Sequence, residues 1–442
     1  MKISLSEHFD YKKLLRFTAP SIIMMIFTSI YGVVDGLFVS NIVGKPAFTA
    51  VNFIMPVLMI CGSVGFMFGS GGSALISKTL GERNRERANR IFSLIVYTSM
   101  VVGTIIAVFG FVFMEKISAA LGAEGEMLEN SVLYGQIVIC ALPLLLLQYE
   151  FHTLFVTAEK PQLGLIVTII SGVLNMGLDA LFIGAFDMKV AGAALATAIS
   201  QVVGGGIPLV YFSRKNDSLL RLGKTSIDFR AIGISCSNGM SEFVSQGSMS
   251  IVNMLYNTQL IKYTGDDGVA AYGVMMYVNL VFLAIFIGYS VGTAPIIGFN
   301  YGAQNRDELK SLRKKSIRIL VITSVVMLCA AQLLAIPLAK LFVGYDEGLF
   351  DLTVHGFRIF SFLFLFAGIN IFGSSMFTAL NNGLISAIIS FLRTLVFQIS
   401  AVLIMPLFLK VDGIWGSVVV AELLSCAVTV IFMVAKRKKY GY

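Results

Sequence analysis

Charge is scarce in this chain. Asp, Glu, Lys and Arg make up 13% of its 442 residues against 57% hydrophobic, an excess that a water-soluble domain of this size does not need for one core. The surplus apolar surface must face lipid. Cysteine is sparse as well: Cys61, Cys140, Cys236, Cys329 and Cys426 stand singly in apolar stretches, with no CxxC or Cys/His spacing to hold a metal or dictate a disulfide. No GxxxxGK[ST] or HExxH occurs, so direct ATP drive and zinc-dependent intramembrane hydrolysis have no visible residues. Neither catalytic residues nor cofactors are expected. The net charge of +8 would point to nucleic acid only on a basic face of a soluble domain, and here the basic residues lie in short loops.

What the chain does have is long apolar runs. A bilayer core of about 30 Å needs roughly twenty helical residues. Twelve windows qualify: 15–43, 48–78, 91–113, 132–157, 162–186, 190–213, 231–262, 268–299, 316–342, 353–379, 384–409 and 413–435. The first follows Lys2, Lys12, Lys13 and Arg16 as a signal peptide would, but it is too long, lacks a small-residue cleavage site and contains Gly32 and Asp35, so it is read as a span. Pro20, Pro56 and Pro295 mark expected kinks. An all-α integral membrane protein of twelve helices is expected.

Basic residues alternate between the loops. One side carries Lys78, Arg83, Arg85, Arg87 and Arg90, then Arg214, Lys215, Arg221, Lys224 and Arg230, then Arg306, Lys310, Arg313, Lys314, Lys315 and Arg318, and finally Lys436 to Lys439. The other side holds single lysines among acids such as Glu124, Glu126, Glu129, Asp346 and Glu347. The positive-inside rule then puts both termini in the cytoplasm of a cell-membrane protein.

Positions i and i+221 match without a gap. Gly81, Asn84, Arg85 and Glu86 face Gly302, Asn305, Arg306 and Asp307; Thr157-Ala158 faces Thr378-Ala379; Gly71 and Gly135 face Gly292 and Gly356. The expected division is an N-lobe, 1–221, with spans one to six, and a C-lobe, 222–442, with spans seven to twelve. With six spans per copy the lobes share an orientation and are related by an axis along the membrane normal. Gly69, Gly71 and Gly72 are read as letting helices approach closely.

Inside the windows lie the acids Asp35, Glu150, Asp179, Glu242 and Glu422 and the bases Arg358 and Arg393. An ionised side chain at that depth costs a few kcal/mol or more, so each should face a cavity or a partner. None has a charged repeat mate: the scaffold is duplicated and its charge chemistry is not. Asn175 and Asp179 are one turn apart on one helical face, and with Thr197 from the next span and Asp35 from the first they make an oxygen-rich cluster suited to a proton or a small cation such as sodium. Glu422 is expected to brace Arg393. Glu150 and Glu242 are left open as candidate polar sites for substrate or, for Glu242, in the second lobe. His152 and His355, without an acid at helical spacing, are expected to be structural.

These residues resemble the multidrug and toxic compound extrusion (MATE) transporters, in the bacterial branch that includes DinF-like and MepA-like proteins. The likeness covers roughly residues 14–435 and rests on Pro20, on Tyr31-Gly-Val-Val-Asp35-Gly-Leu-Phe-Val-Ser40, on Gly81 with Asn84, on Thr157-Ala158 and on Gly298-Phe-Asn-Tyr-Gly302. The resemblance implies two six-helix lobes that exchange small organic, often cationic, compounds for protons or sodium ions. It also implies an ion site at Asp35, Asn175, Asp179 and Thr197, with Pro20 as the hinge of the first helix. In another branch a second-lobe site uses acids from spans seven and ten. Glu242 fits the first, but span ten offers His355, Arg358 and Asn370 and no acid, so coupling is placed in the first lobe. No nucleic-acid partner is expected, and the protein should act as a monomer in the bilayer. The rival is a flippase for a lipid-linked sugar or lipid head group, which should line its cavity with Arg or Lys. A channel would show repeated polar rings, and here the charges differ between repeats.

Overall fold

The computed structural model describes residues 3–38 and 45–442, and of 35–38 and 45–48 the backbone alone. In the first half α1 is Tyr11–Phe38, α2 Lys45–Gly81 and α3 Arg85–Ala120. Helix α4 comprises Gly125–Cys140 and Leu142–Thr157, bent by 60° at Ala141. Helix α5, Pro161–Asp179, passes into a π-helical stretch, Ala180–Ala185, and α6 is Lys189–Ser213. In the second half α7 is Phe229–Thr264, α8 Asp266–Gly302 and α9 Arg306–Val343. Helix α10 joins Glu347–Phe360 to Phe364–Ala379 through a short 3₁₀ turn. Helix α11 begins with Gly383–Phe391, carries a π-helical stretch at Leu392–Phe397 and ends at Lys410; α12 is 411–435.

Length and apolar composition alone qualify nine of these stretches as spans, or ten with the two pieces of α4 joined. Local features account for the other two. The stretch Gly383–Ala435 scores as one span of 53 residues, yet Lys410 has φ 51° and ψ −126° and breaks it into α11 and α12. Helix α7, 36 residues long, is diluted by Ser, Asn, Gln and Glu242, several of which line an interior cavity instead of lipid. The twelve expected spans are thus present. The bend in α4 was not foreseen, although Pro143, at the start of its second piece, removes the amide that would continue the first.

The repeat is visible in detail. Asn84 and Asn305 cap α3 and α9 in the same way, their side chains accepting from the amides of Arg87 and Glu308. The residues before them, Arg83 and Gln304, both take positive φ (60° and 55°), and so do Lys189 and Lys410 (50° and 51°). After α4 and α10 the register slips by one, with positive φ at Glu159 and Asn381.

Helix α2 packs on α7, and α1 on α8. At the ends of α2 and α8 beside the basic loops the contact is reciprocal. A Cβ on Gly81 would lie 2.0 Å from the carbonyl oxygen of Phe299, and one on Gly302 would lie 2.0 Å from that of Lys78. Lys78 and Phe299 are themselves repeat mates, so the two contacts are related by the pseudo-two-fold. Nearer mid-helix a Cβ on Gly71 would lie 1.9 Å from Ser235 O, and one on Gly239 1.9 Å from Met67 O. As expected for Gly71, and likewise for the other three, these glycines allow backbone to meet backbone.

A segment ahead of α1 crosses this closed end. Ser4 Oγ and the Leu5 amide donate to Glu159 Oε1 (2.6 and 2.7 Å), at the end of α4. The Phe9 amide donates to Glu308 Oε1 at 3.0 Å, His8 Nδ1 meets Glu308 Oε2 at 2.5 Å, and Lys315 Nζ donates to Phe9 O, all on α9. Leu5 and Phe9 are fully buried. Residues 4–9 therefore tie the first six helices to the last six.

Candidate functional site

The residues expected to form an ion site lie where α1, α5 and α6 meet. Positions on α5 and α1 are fixed by Gly172, whose Cβ would lie 2.5 Å from the Phe27 ring and 3.1 Å from that of Tyr31. From that contact the two helices run in the same direction. Asn175 and Asp179 follow on the Gly172 face of α5, and Asp35 follows Tyr31 by one turn on α1; the Asp35 side chain lies outside the described residues. Asp179 is fully buried and Asn175 nearly so. The position of Thr197 follows from Ser171 Oγ donating to Ser200 O at 2.8 Å. Since α5 and α6 are antiparallel, one turn back from Ser200 to Thr197 matches one turn forward from Ser171 to Asn175. The structure thus brings Asn175, Asp179 and Thr197 to one region.

Two features there were not legible in sequence. The π-helical stretch starts directly after Asp179, and its wider turn offsets the following carbonyls. In addition, Thr197 Oγ1, Gln201 Oε1 and Gln148 Oε1 are buried without a hydrogen-bond partner among the described residues. Buried oxygens left unbonded cost about 1–3 kcal/mol each, and a cation relieves that cost. Among the described residues no three His, Cys, Asp or Glu side chains come together as a transition-metal site. Pro20 is buried in α1, which continues as a helix on both sides of it.

A second polar region lies between the halves. A cavity of about 230 Å³ opens between α2, α4, α7, α8, α10, α11 and α12, with Phe66, Met249, Met276 and Phe360 among its apolar walls. Glu242, Arg393 and Glu422 line it together. Arg393 donates through Nε to Glu422 Oε1 at 2.8 Å, with Nη2 also 2.8 Å from that oxygen, while Asn370 Nδ2 donates to Glu422 Oε2 at 2.6 Å. The expected Glu422–Arg393 brace is present. Glu242 forms no ion pair of that kind, so the three charges sum to one negative. Arg393 stands within the π-helical stretch of α11, so each half has such a stretch beside an intramembrane charge.

Glu422→Gln should accordingly lower stability by about 3 kcal/mol, because it strands a mostly buried guanidinium. Thermal unfolding in detergent tests this. A normal melting curve with ion coupling abolished would assign Glu422 to coupling instead.

Glu150 lies apart from the cavity, fully buried between α2 and α3, where Ser99 lies beside it without closing a well-formed hydrogen bond. His152 lines the cavity with both ring nitrogens unbonded among the described residues, and His355 pairs through Nε2 with Asp412 of α12 at 2.8 Å, a partner that helical spacing on α10 could not reveal. Arg358 is exposed and pairs with no acid among the described residues.

The sequence model of the MatE family matches residues 20–181 and again 243–404. The multidrug export protein MepA of Staphylococcus haemolyticus is 26% identical over 425 residues, covering 96% of this chain and 93% of that protein. MepA of Staphylococcus saprophyticus is 24% identical over 434 residues, with the same shares covered. Among solved structures, a MATE family transporter in an outward-facing conformation superposes with a TM-score of 0.92 at 23% identity, over 98% of this chain and 97% of that one. A MATE structure in complex with MaL6 gives 0.93 at 22%, over 98% of each.

Proposed function

Since this chain belongs to the MatE family, we propose that it is a secondary antiporter exporting drug-like, often cationic, organic compounds in exchange for protons or sodium ions. The observation that carries this is the separation of two polar regions: an oxygen-rich cluster with buried Asp179 among α1, α5 and α6, and an apolar-walled cavity whose three charges, all from the second half, sum to one negative. The first suits a small ion. The second suits a lipophilic monocation, with Glu242 as counter-charge. Relatives named multidrug export proteins support that cargo.

In this proposal the lobes 1–221 and 222–442 rock against each other in the cytoplasmic membrane, with both termini inside. The glycine-lined closed end then faces the cytoplasm, and the chain stands open to the exterior. No cofactor enters, and a single copy suffices. The cavity also weighs against lipid-linked sugar transport, since its one arginine is already held by Glu422.

Efflux of a fluorescent lipophilic cation from proteoliposomes, under separately imposed proton and sodium gradients, tests the reading. Saturable efflux driven by one of them is expected, and equal efflux without either would refute antiport. Glu242→Gln should raise the cation concentration for half-saturation about tenfold, the scale of one charge-assisted contact. An unchanged half-saturation would remove Glu242 from the binding site.

A further inference from the structure

The pseudo-two-fold relates two grooves at the basic-loop end, and they are filled differently. One lies between α1, α8 and α9, where Glu308 accepts from His8 and the Phe9 amide. Its repeat mate lies between the end of α2, the start of α3 and the start of α7, and is lined by Lys78, Glu82, Arg87, Asp228 and Arg230. Under the i+221 relation Arg87 takes the place of Glu308, and Arg230 that of Phe9. Where the first groove is closed by an acid and its donors, the second has two arginines on its walls.

The acids in this groove are already committed. Glu82 lies 3.8 Å from Lys78, and Asp228 Oδ1 accepts from the amides of Arg230 and Ala231. Neither Arg87 nor Arg230 pairs with any acid among the described residues. Both are exposed, and the groove carries one net positive charge. The residues on either side of Asp228, Ile227 and Phe229, are 73% and 80% exposed. Large apolar side chains so bare at the end of a spanning helix belong at the headgroup boundary.

We infer that this groove binds the phosphate of an anionic phospholipid, gripped by Arg87 from one lobe and Arg230 from the other, with Ile227 and Phe229 against its acyl chains. Guanidinium groups hold phosphate through paired N–H donors, and a basic pocket between spanning helices on the side of the basic loops is where such headgroups collect. The lipid would join the two lobes across α2 and α7, as residues 4–9 join them across α1 and α9. The inference depends on the membrane placement and not on the exported compound.

The test is native mass spectrometry of the full chain in detergent, titrated with phosphatidylglycerol or with phosphatidylcholine of the same acyl length. The wild type should bind phosphatidylglycerol preferentially, and Arg87→Gln with Arg230→Gln should weaken that binding at least about tenfold. Arg214→Gln with Lys215→Gln, exposed positions outside the groove, should leave it unchanged. Arg87→Glu copies the other groove: it should abolish preferential binding and raise the lipid-free melting temperature by pairing with Arg230. Equal phosphatidylglycerol binding by wild type and the double variant would overturn the proposal. Displacement of the lipid by excess inorganic phosphate would overturn its lipid identity in favour of a free-anion site.

Discussion

Asp35→Asn is expected to leave a folded, inserted protein whose gradient-driven efflux falls at least about tenfold, the scale of coupling energies of about 1–3 kcal/mol. Asp35 lies one turn beyond Tyr31, on the helix that Gly172 holds against α5, and Asp179 lies two turns beyond Gly172. Under the proposed antiport, a proton or cation shared by these acids would screen them from each other. Its departure leaves like charges at membrane depth, and the least costly relief is movement of α1 near Pro20, where the proline has removed a backbone hydrogen bond. Asp179→Asn should have nearly the same effect. The check is efflux from proteoliposomes at equal protein, with substrate binding measured separately. Wild-type efflux by Asp35→Asn would refute the mechanism.

Gly81→Ala combined with Gly302→Ala should be as damaging by a different route. Each methyl group would be placed 2.0 Å from a main-chain oxygen of the opposing helix, and neither oxygen can turn aside as a side chain would. Overpacking of this kind costs about 1–3 kcal/mol, and the cost falls on the state in which α2 and α8 touch. The closed basic-loop end should therefore be depopulated. Spin labels at the ends of α2 and α8 should report a longer distance, and export should fall while substrate binding persists. Unchanged distances with full export would mean that the contact has no part in the cycle.

Much of this was legible because membrane helices constrain sequence strongly. Twelve spans followed from apolar length, and the repeat followed from glycines and caps whose backbone role tolerates few substitutes. The Glu422–Arg393 brace was legible too, since a buried charge must find a partner. Other features left weaker traces. The π-helical stretches beside Asp179 and Arg393 have no composition of their own, and the His355–Asp412 pair joins two helices whose relative rotation no spacing rule supplies. The polar dilution of α7 by Ser, Asn and Gln marks cavity-facing positions, and it could have shown that the interior cavity draws most of its lining from the second half.

The tie formed by residues 4–9 also has a consequence for biogenesis. Glu308 lies 300 residues after His8, so this segment acquires its α9 anchor only when the ninth helix has emerged. Glu159 appears far earlier and can hold Ser4 and Leu5 in the interval. The front of the chain is thus docked in two stages, first onto its own half and then across to the other. Phe9, fully covered in the finished protein, stays without its α9 contacts for most of synthesis. Assembly of the two halves is therefore completed by a segment made before α1.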